Sequence, residues 1–107
     1  MRFSILVLFI ALLSPLPALA QTATFYGPGF VGKRMANGRA YNPNQAIAAH
    51  PSYPIGTRLR VTNRKNGRSV VVTVTDRCAC SLDLSKSAFR RIGNPRQGRI
   101  PVSVTRL

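Results

Sequence analysis

The chain is predicted to fold as a small, mainly β domain with one or two short helices. Three stretches carry this prediction because they alternate or are rich in β-branched residues: 57–62, 69–75 and 100–105. Asn66-Gly67, between the first two stretches, is a strong signal for a tight hairpin. Several short strands in a chain of 107 residues favour a small barrel or sandwich.

The first half of the chain is predicted to hold one more strand and a long loop. Residues 22–26 alternate and are rich in β-formers, and Gly27-Pro28-Gly29 would end that strand. Residues 32–44 carry turn signals and are predicted as a loop. Residues 46–49 form a short apolar segment that leads to His50.

One short helix is predicted over residues 83–93, where the period of the sequence changes. Ser85 or Asp83 can cap its N-terminus, and Gly93 stands where a C-terminal glycine belongs. Four apolar residues fall on one face at helical spacing: Leu84, Ala88, Phe89 and Ile92.

Residues 1–20 have the three parts of a secretory signal peptide. Arg2 supplies a positive start, residues 5–13 are apolar, and Ala18-Leu19-Ala20 offers the small residues that a signal peptidase reads. This apolar run is about half of the ~20 residues that a membrane span needs. Cleavage before Gln21 would leave one domain, residues 21–107, which we expect in the periplasm or outside the cell. Gln21 is not the Cys that lipid attachment requires, so no stable membrane anchor is expected.

The chain is strongly basic. It has 16 Lys and Arg residues against two acids, Asp76 and Asp83, and a formal net charge of +14. Such a field attracts anionic partners, and in the cytoplasm it would indicate nucleic acid. Export argues against nucleic acid and favours anionic polymers of the cell envelope. We expect a monomer.

Few residues are available for chemistry. His50, Cys78 and Cys80 are a poor zinc pattern, because structural sites usually have wider cysteine spacing and four ligands, so no metal or other cofactor is expected. Ordinary glycoside hydrolysis needs two carboxylates, and Asp76 and Asp83 are the only ones. Each also has a purely structural interpretation: a helix cap for Asp83, an ion pair with the adjacent arginine for Asp76.

Cys78 and Cys80 are separated by a single alanine. Cysteines of exported proteins are usually oxidised, but a bridge here would close a very small ring. Three states remain open: an intramolecular disulfide, two free thiols, or bridges to another molecule. Because the pair begins two residues after Asp76, its redox state could move that carboxylate.

Eight short motifs occur in order along the chain, and together they indicate a known family. They are Thr24-Phe25-Tyr26-Gly27, Ala36-Asn37-Gly38, Ala48-Ala49-His50, Pro54-Ile55-Gly56-Thr57, Val61-Thr62-Asn63, Asn66-Gly67-Arg68, Asp76-Arg77 and Asp83-Leu84-Ser85. On these residues the chain resembles the rare lipoprotein A-like family. The resemblance implies a six-stranded double-psi β-barrel, related to the expansin and barwin-like barrels that bind or cut polysaccharide.

The resemblance also implies an activity, that of a lytic transglycosylase acting on peptidoglycan glycan strands without stem peptides. Three polar positions are associated with this activity in the family. His50 and Asp76 match two of them, but Arg39 stands where the family has Glu, and Asn42 where an Asp usually follows. We assign Asp76 as the general acid and base, with His50 assisting.

Contacts with the glycan are assigned to five residues: Tyr26, Asn37, Arg39, Arg77 and Asp83. The alternative function is a non-catalytic barrel of expansin type, which would hold wall polysaccharide without cutting it. Arg39 would then pair with an anionic group in the groove. A third possibility is a surface-active basic protein directed at anionic lipid, whose binding high salt would abolish.

Overall fold

A computed structural model describes residues 18–107 as a closed six-stranded β-barrel with one α-helix. The strands are β1 (Leu19–Phe25), β2 (Ile47–Ala49), β3 (Arg58–Asn63), β4 (Ser69–Asp76), β5 (Leu82–Leu84) and β6 (Ile100–Arg106). The helix, α1, is Lys86–Ile92, and two short 3-10 turns are Pro28–Phe30 and Pro95–Gln97. The predicted mainly β fold class is confirmed.

The strand order around the barrel is β1-β5-β2-β4-β3-β6. Two of the pairs, β1 with β5 and β2 with β4, are parallel, and the other four are antiparallel. Parallel neighbours cannot be joined by a tight hairpin, so the chain must cross over between them. This mixture distinguishes the fold from a simple up-and-down barrel, and it agrees with the double-psi barrel that the resemblance implied.

The hairpin of β3 and β4 forms as its sequence predicts. Gly67 has a φ of 77°, and its N–H donates to the Asn63 carbonyl at 2.8 Å. Side chains then alternate along both strands, so that every second residue points into the barrel. The barrel core contains the fully buried residues Leu59, Val61, Val72, Val74, Leu82, Leu84 and Val102, with Phe89 and Ile92 of α1 packed in the same cluster.

The helix is shorter than the predicted range of 83–93, because its first part is strand. Residues 82–84 form β5, which pairs with both β1 and β2, so Asp83 is a strand residue and not a helix cap. Ser85 is the N-cap, and its hydroxyl oxygen accepts from the Ala88 N–H at 3.4 Å. Gly93 ends the helix in an extended conformation with a φ of −164°. Glycine fits here because the space is tight: a Cβ at this position would lie 3.2 Å from the side chain of Gln97.

The predicted loop of residues 32–44 contains a small hairpin, in which Arg34 bridges to Ala40. Its turn uses Gly38, which has a φ of 87°. The hairpin lies against the end of β4, because the Asn37 N–H donates to the Thr75 carbonyl at 3.0 Å. The loop thereby covers the last residue of β4, Asp76.

The predicted signal peptide falls mainly on residues 1–17, which lie outside the described residues. Its last two residues belong to β1, where Leu19 pairs with Val104 and Ala20 pairs with Ser103. Gln21, the first residue after the predicted cleavage point, continues the same ladder. Within residues 18–107, no helix has the length and apolar character needed to cross a membrane.

Candidate active site

The two carboxylates of the chain lie on either side of one short strand. In the barrel β2 lies between β4 and β5, and its last residue, Ala49, pairs with Asp76 on one side and with Asp83 on the other. Neighbouring strands lie about 4.8 Å apart, so the two aspartate backbones are about 10 Å apart. Their side chains line one cavity of about 220 Å³, the carboxylate cleft, formed by Tyr26, Phe30, Ala49, Asp76, Arg77, Cys78 and Asp83.

Asp76 accepts three hydrogen bonds through its carboxylate. The Tyr26 hydroxyl donates to Oδ2 at 2.7 Å, and the backbone N–H groups of Ala36 and Arg77 each donate to Oδ1 at 2.9 Å. Both oxygens are therefore acceptors, which is the role that an ionised carboxylate fills. The donors come from three separate parts of the chain, so the orientation of this side chain is fixed.

Tyr26 connects this carboxylate to an aromatic wall. Burial raises the pKa of its phenol far above the usual value, and the hydrogen bond to Asp76 raises it further, so the hydroxyl remains a donor. The ring stacks on Tyr41 with centroids 4.2 Å apart and meets Phe30 edge-on at 5.7 Å. Of these three rings, Tyr26 and Phe30 line the cleft, and only Phe30 is exposed.

Asp83 has a different environment. It is half-buried, and one oxygen, Oδ1, accepts a 2.9 Å hydrogen bond from the Thr24 hydroxyl. Desolvation raises the pKa of Asp83, the Thr24 hydrogen bond lowers it, and the negative charge of Asp76 raises it again. The net shift is upward, so Asp83 holds a proton to a higher pH than a free aspartate does.

His50 is hydrogen-bonded to Asp76 through the backbone: the His50 N–H donates to the Asp76 carbonyl at 3.1 Å. The ring is buried, and Nδ1 accepts from the N–H groups of Ser52 and Tyr53 at 3.1 and 3.0 Å. Burial, together with the positive charge of Arg77, lowers the pKa of His50, so the imidazole is neutral at pH 7 with its proton on Nε2. His50 is not among the residues that line the carboxylate cleft.

Arg77 lines the cleft, and its guanidinium is directed toward the backbone of the next loop. One nitrogen donates to the carbonyls of His50 and Tyr53, at 3.2 and 2.5 Å. Cys78, which also lines the cleft, forms a disulfide with Cys80, one of the three states that the sequence left open. The segment after Asp76 is therefore closed into a tight ring at the edge of the cleft.

The remaining two predicted contact residues lie further along the surface. The side-chain oxygen of Asn37 accepts from the Arg39 N–H at 2.9 Å, so Asn37 shapes the small hairpin. Arg39 is exposed and lines a second cavity, together with Tyr41 and Asn42. A third cavity of about 180 Å³, lined by both Tyr26 and Tyr41, lies between that cavity and the carboxylate cleft. The three cavities are therefore neighbours: Tyr26 lines the third cavity and the cleft, and Tyr41 lines the third cavity and the one that contains Arg39.

The sequence predicted most of these residues, and the structure separates them into groups. Tyr26, Asp76, Arg77 and Asp83 lie together in the cleft. Arg39 lines a separate cavity, and His50 supports the backbone next to Asp76. Thr24 and Tyr41 were missed as functional residues, although Thr24 and Tyr26 alternate along one predicted strand. In the part of the chain described here, no group of three or more His, Cys, Asp or Glu side chains is placed to hold a metal ion.

Residues 18–104 match the protein family described as lytic transglycolase. An uncharacterized protein of Synechocystis sp., ssl3177, is 67% identical over 89 residues, which are 83% of this chain and 99% of that protein. The probable endolytic peptidoglycan transglycosylase RlpA of the same organism is 51% identical over 66% of this chain and 23% of its own length. The Campylobacter jejuni RlpA is 45% identical over 75% of this chain and 30% of its own length. The chain therefore spans less than a third of these two named transglycosylases.

Solved structures with the same barrel include an expansin from Clavibacter michiganensis. Its apo form is 35% identical and superimposes with a TM-score of 0.67, over 86% of this chain and 50% of the expansin. A mutant of that expansin in complex with cellohexaose gives a TM-score of 0.63 at 31% identity, over 83% of this chain and 50% of the expansin. The barrel of this chain is thus similar to half of a protein that was crystallised with an oligosaccharide.

Proposed function

The chain belongs to the lytic transglycolase family, and we propose that it cleaves peptidoglycan glycan strands that lack stem peptides, leaving products with an anhydro ring. One observation carries the proposal. Asp76 and Asp83 line the same cleft, one with both oxygens already accepting hydrogen bonds and the other with an upward-shifted pKa. Acid–base cleavage of a glycosidic bond needs a carboxyl group that delivers a proton, and burial raises the pKa of Asp83 in the direction that favours this role.

In the proposed reaction Asp83 donates its proton to the glycosidic oxygen as the bond from that oxygen to the sugar C1 breaks. The sugar left behind has the character of an oxocarbenium ion. Its own 6-hydroxyl then attacks C1, and the proton of that hydroxyl passes to the Asp83 carboxylate, which restores the acid. No water molecule is consumed, so no further carboxylate is needed to activate one.

Asp76 keeps a place in the reaction, but the proton is assigned to Asp83. The sequence led us to assign the acid and base role to Asp76. Both oxygens of Asp76 already accept hydrogen bonds from three donors, whereas burial raises the pKa of Asp83 and so favours its protonated form. The fixed negative charge of Asp76 is suited to stabilise the positive charge that develops on the sugar.

His50 and Arg77 are proposed as positioning residues. The His50 ring accepts two backbone N–H groups of the following loop, and Arg77 donates to two carbonyls of the same region. Together they hold the loop of residues 50–53 against the end of β4, where Asp76 lies. His50 assists in the reaction by fixing this backbone, which is a narrower role than contact with substrate.

Arg39 is proposed to bind the glycan at a distance from the bond that breaks. When stem peptides are absent, each muramic acid exposes the carboxylate of its lactyl group. Arg39 is exposed and lines a separate cavity near the cleft, on the far side of Tyr26 and Tyr41. It can therefore pair with such a carboxylate while the reacting sugar occupies the cleft.

The test is to incubate the purified protein with peptide-free peptidoglycan and to identify soluble products by mass spectrometry. Wild type should release anhydro-muramyl fragments, which are lighter by one water than hydrolysis products. Asp83→Asn and Asp76→Asn should release far less, and Arg60→Gln, which removes an exposed charge on β3, should match wild type. Release of only the heavier hydrolysis products, or equal release by Asp83→Asn, would contradict the proposal.

A second candidate function is binding without cleavage. The similarity to an expansin barrel and the presence of Arg39 in place of the family's Glu both favour it. This alternative predicts that wild type sediments with peptide-free strands but releases no fragments. It further predicts that Arg39→Glu weakens sedimentation. If Arg39→Glu instead gained cleavage activity, the missing family acid would be identified as the reason for inactivity.

Export is part of the proposal, because the substrate lies outside the cytoplasm. The predicted cleavage before Gln21 would remove two residues of β1 and leave the ladder from Gln21 to Ala23 intact. Mass spectrometry of the protein recovered from the periplasm or the medium tests this point. A mature N-terminus at Gln21 supports it, and an uncleaved chain retained in the cell contradicts it.

A further inference from the structure

Six exposed cations form a second charged region, which the proposed cleavage does not use. They lie in two segments, the turn between β3 and β4 and the stretch from the end of α1 through the second 3-10 turn. We call them the basic surface: Arg64, Lys65, Arg68, Arg90, Arg91 and Arg96. The only two acids of the chain are both in the carboxylate cleft, so this surface contains no carboxylate to neutralise it.

Hydrogen bonds hold the two segments together. The Asn63 and Asn66 side-chain amides both donate to the carbonyl of Ile92, at 2.7 and 3.0 Å, which joins the turn to the end of α1. Asn94 and Gln97 form a capping box that fixes the following 3-10 turn. The backbone that carries the cations is therefore held in place by these contacts.

Between the two segments lies an open cavity of about 580 Å³. Arg68 borders it on the side of the turn and Arg90 on the side of the helix, with Asn66, Asn94 and Gln97 between them. Two guanidinium groups from separate elements thus face one space. The N–H groups of a planar guanidinium match the oxygens of a phosphate group. Five of the six cations are arginine.

The composition of the basic surface restricts the kind of partner. Within residues 18–107 the exposed large apolar residues are Leu19, Phe30, Val31, Ile55 and Leu107, and none of them belongs to these two segments. Binding in the plane of a membrane usually adds inserted apolar side chains to the basic ones. Residues 64–68 and 90–97 also contain no aromatic residue on which nucleic-acid bases could stack.

We propose that the basic surface binds a soluble polymer with closely spaced phosphate groups, and that this binding is independent of the carboxylate cleft. A peptide-free glycan carries only one carboxylate per disaccharide, so six cations on two adjoining segments exceed what that substrate requires. A chain with a charge at every repeat would place several phosphates against these arginines at once. The surface would then hold the protein near such a polymer.

The probe is long-chain inorganic polyphosphate, whose affinity for the full chain is measured by fluorescence anisotropy over a range of salt concentrations. Arg68→Gln/Arg90→Gln removes two charges from the basic surface, and Arg58→Gln/Arg60→Gln removes two exposed charges from β3 as a matched control. The first variant should lose about tenfold in affinity, with a shallower salt dependence, and the control about threefold or less. Both should keep the wild-type affinity for peptide-free glycan.

Equal losses in the two variants would overturn the proposal, because the binding would then follow net charge alone. Poly-glutamate, phosphatidylglycerol vesicles and single-stranded DNA are compared at the same concentration of charge. Tighter binding of any of these than of polyphosphate would assign the surface to carboxylates, to a lipid surface or to nucleic acid, and would also overturn it. Circular dichroism of both variants checks that the barrel is folded, since all four substituted side chains are exposed.

Discussion

The carboxylate cleft and the basic surface are joined by one strand and have opposite chemistry. β4 begins directly after Arg68 and ends at Asp76, and its eight residues span about 25 Å. In the cleft, both acids are partly buried and hydrogen-bonded to other parts of the chain. On the basic surface the charges are exposed, although the backbone that carries them is just as firmly held.

The difference shows how one small barrel can keep acid–base chemistry and the electrostatic attraction of a polymer in separate regions. Burial changes the protonation of a group, so the few acids of the chain are useful where they are partly removed from water. Exposed cations keep their charge and act over a longer range, so they are useful where a polymer must be attracted. The two regions should therefore respond independently to substitution: changes in the cleft should alter cleavage and leave polyphosphate binding unchanged.

The largest effect is expected for Asp83→Asn, which removes the proposed proton donor. General acid catalysis contributes about 10²- to 10⁴-fold, so release of anhydro products should fall by about that factor. The polyphosphate affinity should not change. The measurement is the initial rate of product release from peptide-free peptidoglycan, alongside anisotropy with polyphosphate. A rate within about threefold of wild type would exclude Asp83 as the acid.

A smaller loss is expected for Tyr26→Phe, which removes one donor from Asp76 and keeps the ring stacked on Tyr41. Hydrogen bonds to charged groups are worth about 1.5–3 kcal/mol, so the rate should fall about 10- to 100-fold. Tyr41→Phe is the matched control, because its hydroxyl oxygen accepts from the Lys86 N–H and does not contact either acid. Equal losses in both variants would contradict a specific role for the hydrogen bond from Tyr26 to Asp76.

His50→Asn should have a small effect on the rate, about threefold, because an Asn side-chain oxygen can accept the Ser52 N–H as Nδ1 does. His50→Ala leaves two backbone donors without this acceptor, so it should lower the melting temperature as well as the rate. Thermal unfolding and rates of both variants are compared. If Asn and Ala were equally inactive in a fully folded protein, His50 would have a chemical role and not only a positioning one.

The smallest effect concerns stability against pH. Burial raises the pKa of Asp83 in the folded protein, so the folded state binds this proton more tightly than the unfolded state does. The resulting stability is complete below the ordinary value of 3.8 and is lost as the pH rises through the folded value. Asp83→Asn should therefore gain in melting temperature relative to wild type as the pH is raised from 3.8 to 7. A constant difference over this range would contradict the upward shift.

Much of the barrel could be predicted from local pattern, because β3 and β6 alternate, β4 is rich in β-branched residues, and a strong turn joins β3 to β4. β5 could not. It has only three residues, and the Leu82-Asp83-Leu84 alternation overlaps the helical pattern that follows it. Its parallel partner, β1, lies about sixty residues earlier in the chain, and no local signal predicts a pairing at that separation.

The sequence predicted which residues form the site better than it predicted what each of them does. Asp76, Asp83 and Tyr26 could be named from motifs, but their protonation depends on burial and on donors such as Thr24 and Ala36 that only the folded chain supplies. His50 illustrates the same limit. A histidine at the end of a strand gives no sign of whether its ring is directed toward substrate or toward the backbone of its own loop.

The location of the proton can be measured directly, because Asp76 and Asp83 are the only acidic side chains in the sequence. Carbon-13 NMR of the labelled carboxyl groups, followed against pH, will contain only these two side-chain signals besides that of the C-terminus. The Asp83→Asn variant assigns them by removing one. We expect Asp83 to titrate clearly above the ordinary value of 3.8. Titration of Asp83 at or below that value would contradict the proposed acid and, with it, the proposed division of roles within the cleft.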